Sequence, residues 1–121
     1  MRFFFYPSSV AVIGASREPE KPGHVILRLL LENKRSGVFR GEVYPVNPHA
    51  DEILGVRCYP RVTDIEGDVE LAVIVVPARV VPLVMEDCGA KGVRGAIIIS
   101  AGFSEVGNVE LERRVKGIAE R

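Results

Sequence analysis

Short apolar runs alternate along this chain with segments in which apolar residues recur at helical spacing. Most of the runs are apolar on both faces, which is typical of parallel strands covered by helices on both sides. The strongest run, residues 71–76, is rich in β-branched residues, is too short for a helix and is followed by Pro77. The predicted strands are residues 10–13, 43–46, 71–76 and 96–99.

Three further segments have the apolar periodicity of amphipathic helices. Pro82 lies where the first turn of the second helix is expected, and Asn108 is a candidate N-cap of the third. The predicted helices are residues 24–33, 81–88 and 111–118. Strands that alternate with helices imply right-handed crossovers, so the sequence predicts an α/β fold, a Rossmann-like doubly wound parallel sheet, in one domain over residues 1–121.

Composition and charge exclude several classes of protein. Of the 121 residues, 47% are hydrophobic and 26% are charged, with 16 basic against 16 acidic residues, which is the balance of a soluble globular domain. With no net charge, no basic face and no long apolar segment, neither nucleic acid nor a membrane is an expected partner. The chain has no glutamine, few asparagines and more arginine than lysine, a composition typical of thermophilic sources.

The cysteines and histidines show no pattern of catalysis or metal binding. Cys58 and Cys88 lie far apart without a Cys-x-x-Cys spacing, so we interpret them as buried thiols of a cytoplasmic protein. His24 and His49 have no carboxylate partner nearby in the sequence, and we interpret them as surface residues. The sequence therefore predicts neither a catalytic residue nor a metal ligand.

Ligands of open parallel sheets bind at the carboxyl ends of the strands. Four loops at these ends are rich in Gly, Pro, Ser, Ala and Asn, whose small side chains let a ligand approach the backbone. In the first loop Ser16 can donate a hydroxyl and Arg17 and Lys21 can neutralise phosphate, although the same residues also suit a solvated surface loop. The four loops are residues 14–23, 47–51, 77–79 and 100–107.

The second loop disfavours a nicotinamide dinucleotide. A domain that binds NAD usually has Asp or Glu at the end of its second strand, where the carboxylate binds the ribose hydroxyls. Here that strand is followed by Asn47 and Pro48, with no arginine for a 2′-phosphate. The first loop also lacks the Gly-x-Gly-x-x-Gly pattern. An NAD(P)-binding domain is therefore the less favoured alternative.

Five segments follow one another in an order and spacing that we associate with one family. Together they resemble the N-terminal CoA-binding domain of ADP-forming acetyl-CoA (acyl-CoA) synthetases, relatives of the succinyl-CoA synthetase α subunit. The resemblance runs from about Pro7 to the C-terminus. The segments are Val10-Ala-Val-Ile-Gly-Ala-Ser16, Val43-Tyr-Pro-Val-Asn-Pro48, Glu52-Ile-Leu-Gly55, Asp68-Val-Glu-Leu-Ala-Val-Ile-Val-Val-Pro-Ala78 and Gly95-Ala-Ile-Ile-Ile-Ser-Ala-Gly-Phe103.

The resemblance implies that coenzyme A binds at the four strand-end loops. The relatives of succinyl-CoA synthetase have a lysine shortly after the second strand, which this chain lacks, so Arg17, Lys21 or Arg79 would neutralise the phosphates instead. The implied CoA-binding residues are Gly14, Ala15 and Ser16 in the phosphate-contacting first loop, Asn47 and Pro48 in the second, Val76, Pro77 and Ala78 in the third, and Ser100, Ala101 and Gly102 in the turn that guides the pantetheine arm.

The resemblance also implies a role without catalysis. The family reaction, acyl-CoA + ADP + phosphate ⇌ acid + ATP + CoA, passes through a phosphorylated histidine in the following domain. We therefore expect this chain to be the CoA-binding fragment of a longer synthetase, to be inactive alone, and to act with the remaining synthetase domains or an ATP-grasp subunit. A stand-alone CoA- or nucleotide-sensing protein is the alternative.

Overall fold

The computed structural model describes residues 7–99, in which a parallel sheet lies between two helices. The four predicted strands and the first two predicted helices are confirmed, with ends that differ by one to three residues. The predicted helix at 111–118 lies outside the described residues. In chain order the elements are β1 (Ser9–Ile13), α1 (Pro22–Arg35), β2 (Glu42–Val46), β3 (Glu52–Ile53), β4 (Val56–Arg57), a 3₁₀ turn (Val62–Asp64), β5 (Leu71–Ile74), a second 3₁₀ turn (Ala78–Val80), α2 (Val81–Lys91) and β6 (Gly95–Ile98).

The main sheet has the order β2-β1-β5-β6, and every neighbouring pair is parallel. From β1 the chain moves outward to β2 and then crosses to the other side of β1 to form β5. The strand order thus reverses between β1 and β5, and in open parallel sheets this switch point is where ligands bind. The predicted α/β, Rossmann-like fold is confirmed.

In the part of the chain that the structure describes, each face of the sheet is covered by one helix, because apolar residues occupy both faces of the central strands. In β1, Val12 packs on the α1 side with Leu27, whereas Ala11 packs on the α2 side with Met85. All four side chains are fully buried. Burial on both faces explains why the strands read as continuous apolar runs without polar alternation.

The helix ends follow local chemistry. Pro22 occupies the first position of α1, where a missing backbone N–H removes no helical hydrogen bond. Lys34 and Arg35 lie in its last turn, where positive charge complements the helix dipole. Helix α2 ends at Gly92, whose φ of 84° is the left-handed conformation that glycine adopts readily. Neither helix of the described region is long and apolar enough to cross a membrane.

The segment between β2 and β5, for which the sequence analysis predicts neither a strand nor a helix, contains two short strands and a 3₁₀ turn. β3 and β4 form an antiparallel hairpin, whose turn residues Leu54 and Gly55 have φ values of 52° and 79°. Positive φ at both central residues is the geometry of the tight hairpin turn. Strands of two residues are too short to give a periodic signal, so sequence patterning misses them. After the hairpin, Val62 and Ile65 pack into the α2 side of the core.

Candidate functional site

A groove of about 560 Å³ opens at the carboxyl ends of β1, β2 and β5, at the switch point of the sheet. Its volume lies in the range of small-molecule sites. Loops that are separated in sequence meet here because parallel strands end at the same edge. The sequence-predicted residues that line the groove are Gly14, Ala15, Ser16, Lys21, Asn47, Pro48, Val76 and Pro77.

Other predicted residues lie elsewhere. The Arg17 side chain turns away to donate from Nε to the backbone oxygen of Glu52, 2.8 Å away, and it does not line the groove. Ala78 begins the 3₁₀ turn before α2 and is also outside the lining. Ser100, Ala101 and Gly102 lie outside the described residues, so their place in the site stays a prediction.

Gly14 allows the ends of β1 and β5 to come into direct contact. Its φ is 98°, and a Cβ atom there would collide with the backbone oxygen of Val75 and lie 3.1 Å from Cγ1 of Val76. Because the obstacle is backbone, it cannot move aside as a flexible side chain would. At Gly14 the floor of the groove has no side chain, so a ligand can approach the main chain closely there.

Helix α1 points its amino end at the same loop. A Cβ atom at Gly23 would collide with the carbonyl oxygen of Gly14, so this glycine lets the helix begin directly against the first loop. Within the described residues, the helix start has neither a side-chain cap nor an acidic residue in its first turn. The N–H groups of His24 and Val25 donate to the carbonyl oxygen of Lys21 and Pro22 has none, so it is the positive end of the helix dipole that favours an anion at this point.

Two side chains hold the backbone of the first loop. Nδ2 of Asn47 donates to the carbonyl oxygen of Ala15 at 2.8 Å. Nδ1 of His24 lies 2.9 Å from the carbonyl oxygen of Ser16. Because a carbonyl oxygen only accepts, this hydrogen bond requires a proton on Nδ1 of His24. In a trans peptide the N–H points opposite to the C=O. Because these two carbonyls point toward Asn47 and His24, the N–H groups of Ser16 and Arg17 point away from those side chains.

His24 is thus not the surface residue that the sequence analysis expects. It is buried, with 7% exposure, and its ring nitrogen bonds to the loop backbone. His49 is exposed, as expected, and its backbone N–H donates to Oδ1 of Asn47 at 2.8 Å. The Asn47 amide therefore uses both its donor and its acceptor within the protein.

The charges around the groove balance one another. Lys21 forms an exposed ion pair with Glu18 at 3.3 Å. Arg61, which also lines the groove, binds Asp87 through two hydrogen bonds, Nε to Oδ2 at 3.0 Å and Nη2 to Oδ1 at 2.5 Å. Sequence reasoning misses this second pair, since its members lie 26 positions apart on elements whose packing no local pattern reports.

An apolar wall completes the groove. It consists of Leu83 and Val84 in the first turn of α2, Val80 just before that helix, and Val76 shortly after β5. The Leu83 side chain faces the groove with 60% of its surface exposed. An apolar side chain left open in a concave site is available to cover an apolar part of a ligand.

Neither cysteine has the properties of a nucleophile. Both are free and buried, as predicted. Burial raises the pKa of the Cys88 thiol to about 12, helped by the nearby Asp87 carboxylate, and burial also raises the pKa of Cys58. A thiol that stays protonated at neutral pH is unreactive.

Comparisons with known proteins agree on one family. The model of the CoA binding domain matches residues 8–120. The chain is 54% identical over 121 residues to the ADP-forming acetate–CoA ligase of Methanocaldococcus jannaschii, covering 100% of this chain and 16% of that protein. It is 44% identical over 118 residues to the alpha subunit of ADP-forming acetate–CoA ligase II of Pyrococcus furiosus, covering 98% of this chain and 24% of the subunit.

A solved structure agrees with the sequence matches. The apo form of the dinucleotide-forming acetyl-coenzyme A synthetase 1 of Candidatus Korarchaeum cryptofilum superposes with a TM-score of 0.86 at 49% identity, covering 98% of this chain and 25% of that one. The chain thus spans a quarter or less of the length of these relatives. Because the family model covers nearly all of its residues, the chain belongs to the CoA-binding domain family.

Proposed function

We propose that this chain binds coenzyme A in the groove at the carboxyl ends of β1, β2 and β5, as the CoA-binding part of an ADP-forming acyl-CoA synthetase. The observation that carries the proposal is the union, in one groove, of a bare glycine floor, an uncapped helix start and an apolar wall. Coenzyme A likewise combines a charged part with a weakly polar part, because its phosphates are anionic and its pantetheine arm is long and weakly polar.

The anionic end of coenzyme A fits the side of the groove formed by the first loop and the amino end of α1. Backbone N–H groups of the loop and the helix dipole favour phosphate oxygens there. Oγ of Ser16 accepts the backbone N–H of Glu18 at 3.0 Å, so its own proton is available for a ligand oxygen.

The pantetheine arm fits the apolar wall of the groove. Val76, Val80 and Leu83 would lose water-exposed apolar surface against it, and burying such surface contributes roughly 25 cal/mol per Å². The predicted turn at Ser100, Ala101 and Gly102 would guide the arm further, as the family resemblance implies.

The alternative of an NAD(P)-binding domain is weakened by Asn47. Its amide already donates to Ala15 and accepts from His49, which holds it toward the protein backbone. It also lacks the charge with which the aspartate or glutamate of NAD-binding domains holds those hydroxyls.

In the proposed function this chain holds coenzyme A and other parts of the synthetase perform the chemistry. Since this chain spans a quarter or less of the length of the relatives named above, we propose that their remaining domains, or a separate ATP-grasp subunit, supply the nucleotide and acid sites. The reaction would be acyl-CoA + ADP + phosphate ⇌ acid + ATP + CoA. A cytoplasmic location and a thermophilic source stay predictions of composition alone.

Isothermal titration of the chain with CoA and with NADH tests the proposal. We expect saturable binding of CoA and none of NADH, and the reverse result would refute the assignment. Leu83→Ala should weaken CoA binding severalfold, because the truncated side chain covers less of the arm, at roughly 1 kcal/mol. Leu54→Ala is the matched control, since Leu54 is also an exposed leucine, at 47%, but lies on the hairpin turn outside the groove.

A further inference from the structure

None of the three basic residues that the sequence suggests as phosphate partners is a cation held in a defined position in the groove. Arg17 is bonded to the backbone of Glu52, and Arg79 is exposed outside the groove lining. Lys21 lines the groove but pairs with Glu18, and both side chains are more than half exposed. A cation that is held in a defined position must be sought elsewhere in the groove.

Arg61 is such a cation. Its backbone N–H donates to Oδ2 of Asp64 at 3.1 Å, which fixes the main chain at the start of the 3₁₀ turn. Its guanidinium reaches across to α2, where both oxygens of Asp87 accept a hydrogen bond from it. Paired hydrogen bonds between two planar groups fix the direction of a guanidinium as well as its position.

The two partners differ in exposure. The Asp87 side chain is 17% exposed and the Arg61 side chain 61%. The carboxylate is therefore embedded in the wall, while the guanidinium stands at the open side of the groove that both residues line. The pair occupies two of the N–H groups of a guanidinium that has five, so the others are free to meet an anion.

We propose that Arg61, aimed by Asp87, binds a phosphate group of coenzyme A and sets the preference of the groove for the phosphorylated carrier over its unphosphorylated arm. The inference rests on the proposed function. Without ligand, Lys21 and Arg61 are balanced by Glu18 and Asp87, so among residues 7–99 the charged lining has no excess of positive charge. Phosphate then competes with, or adds to, the Asp87 carboxylate at Arg61.

Three variants of the chain separate binding from structure. Arg61→Gln removes the cation and Asp87→Asn removes its partner, so both break the same ion pair. Arg40→Gln is the matched control, because Arg40 is an exposed arginine just before β2, at the opposite end of the sheet from the groove. Titrations with CoA, dephospho-CoA and pantetheine are compared, and a thermal unfolding curve of each variant measures its stability.

We expect Arg61→Gln to weaken CoA binding by about tenfold or more, the scale of a lost charge-assisted hydrogen bond. Pantetheine binding should not change. Asp87→Asn should leave CoA binding equal or tighter, because it removes a negative charge beside Arg61. If dephospho-CoA is weakened as much as CoA, Arg61 meets the pyrophosphate; if it is unaffected, Arg61 meets the 3′-phosphate.

Four results would overturn the inference. Equal weakening of CoA binding by Arg61→Gln and Asp87→Asn would mean that the pair only ties the 3₁₀ turn to α2. Equal weakening of pantetheine and CoA by Arg61→Gln would exclude a phosphate contact. Unchanged CoA binding in Arg61→Gln would refute the role of Arg61 while leaving the proposed function intact, whereas a wild-type chain that binds no CoA would refute both.

Discussion

Replacing Gly14 by alanine tests whether the contact between β1 and β5 shapes the site. The new methyl group would collide with the backbone oxygen of Val75 and approach the side chain of Val76. Gly37→Ala is the matched control. Gly37 also has a positive φ, 86°, but no atom lies within 4 Å of the position that its Cβ would take.

The structure gives the size of each effect. A residue with a side chain in the left-handed region is destabilised by roughly 1–2 kcal/mol, partly offset by the lower entropy of the unfolded alanine chain. Gly37→Ala should therefore lower the free energy of unfolding by about 1 kcal/mol. Gly14→Ala adds an overlap with main chain that must shift, and overpacking typically adds a further 1–3 kcal/mol.

Urea unfolding followed by circular dichroism measures both variants against the wild type. We expect Gly14→Ala to be the less stable of the two by about 1–3 kcal/mol, and to bind CoA more weakly because the groove floor moves. If the two variants have the same free energy of unfolding, the close approach of β1 to β5 does not constrain this position, and the reasoning is refuted.

Two further predictions concern polar groups at or near the groove. Asn47→Asp keeps an acceptor for the backbone N–H of His49 but loses the donor to the carbonyl of Ala15, so it should lower stability by about 1–3 kcal/mol and weaken CoA binding; equal CoA affinity in this variant would contradict the positioning role. Cys58 and Cys88 should not react with a thiol reagent in the folded chain at pH 7, because their thiol pKa values are raised by burial, and both should react after unfolding in urea. Rapid reaction of the native chain would show that the thiols are accessible.

The site depends on how two kinds of contact are combined. Main-chain contacts at the switch point, such as that between Gly14 and Val75, fix the floor of the groove. Side-chain contacts from other elements, such as that of Asn47 with the first loop, then hold the loop on the floor. Both kinds limit motion before a ligand arrives, which reduces the entropy lost on binding.

The layers of the fold and the edge at which the site lies follow from the amino-acid sequence. A run such as residues 71–76 is apolar on both faces, and such a strand is stable only if helices cover both sides of the sheet. Alternation of strands with helices then requires parallel strands. Since parallel strands all end at one edge, the loops after β1 and β2 had to meet there. These conclusions need only local composition and order.

The pairing of polar groups, in contrast, depends on how distant elements pack together. Arg61 bonds to Asp87, which lies 26 positions away in the sequence. His24 bonds to the carbonyl oxygen of Ser16 because α1 begins against the first loop. Hydrogen bonds form only within a few tenths of an ångström of their preferred length. Such precision depends on the packing of whole elements, which residue periodicity does not encode.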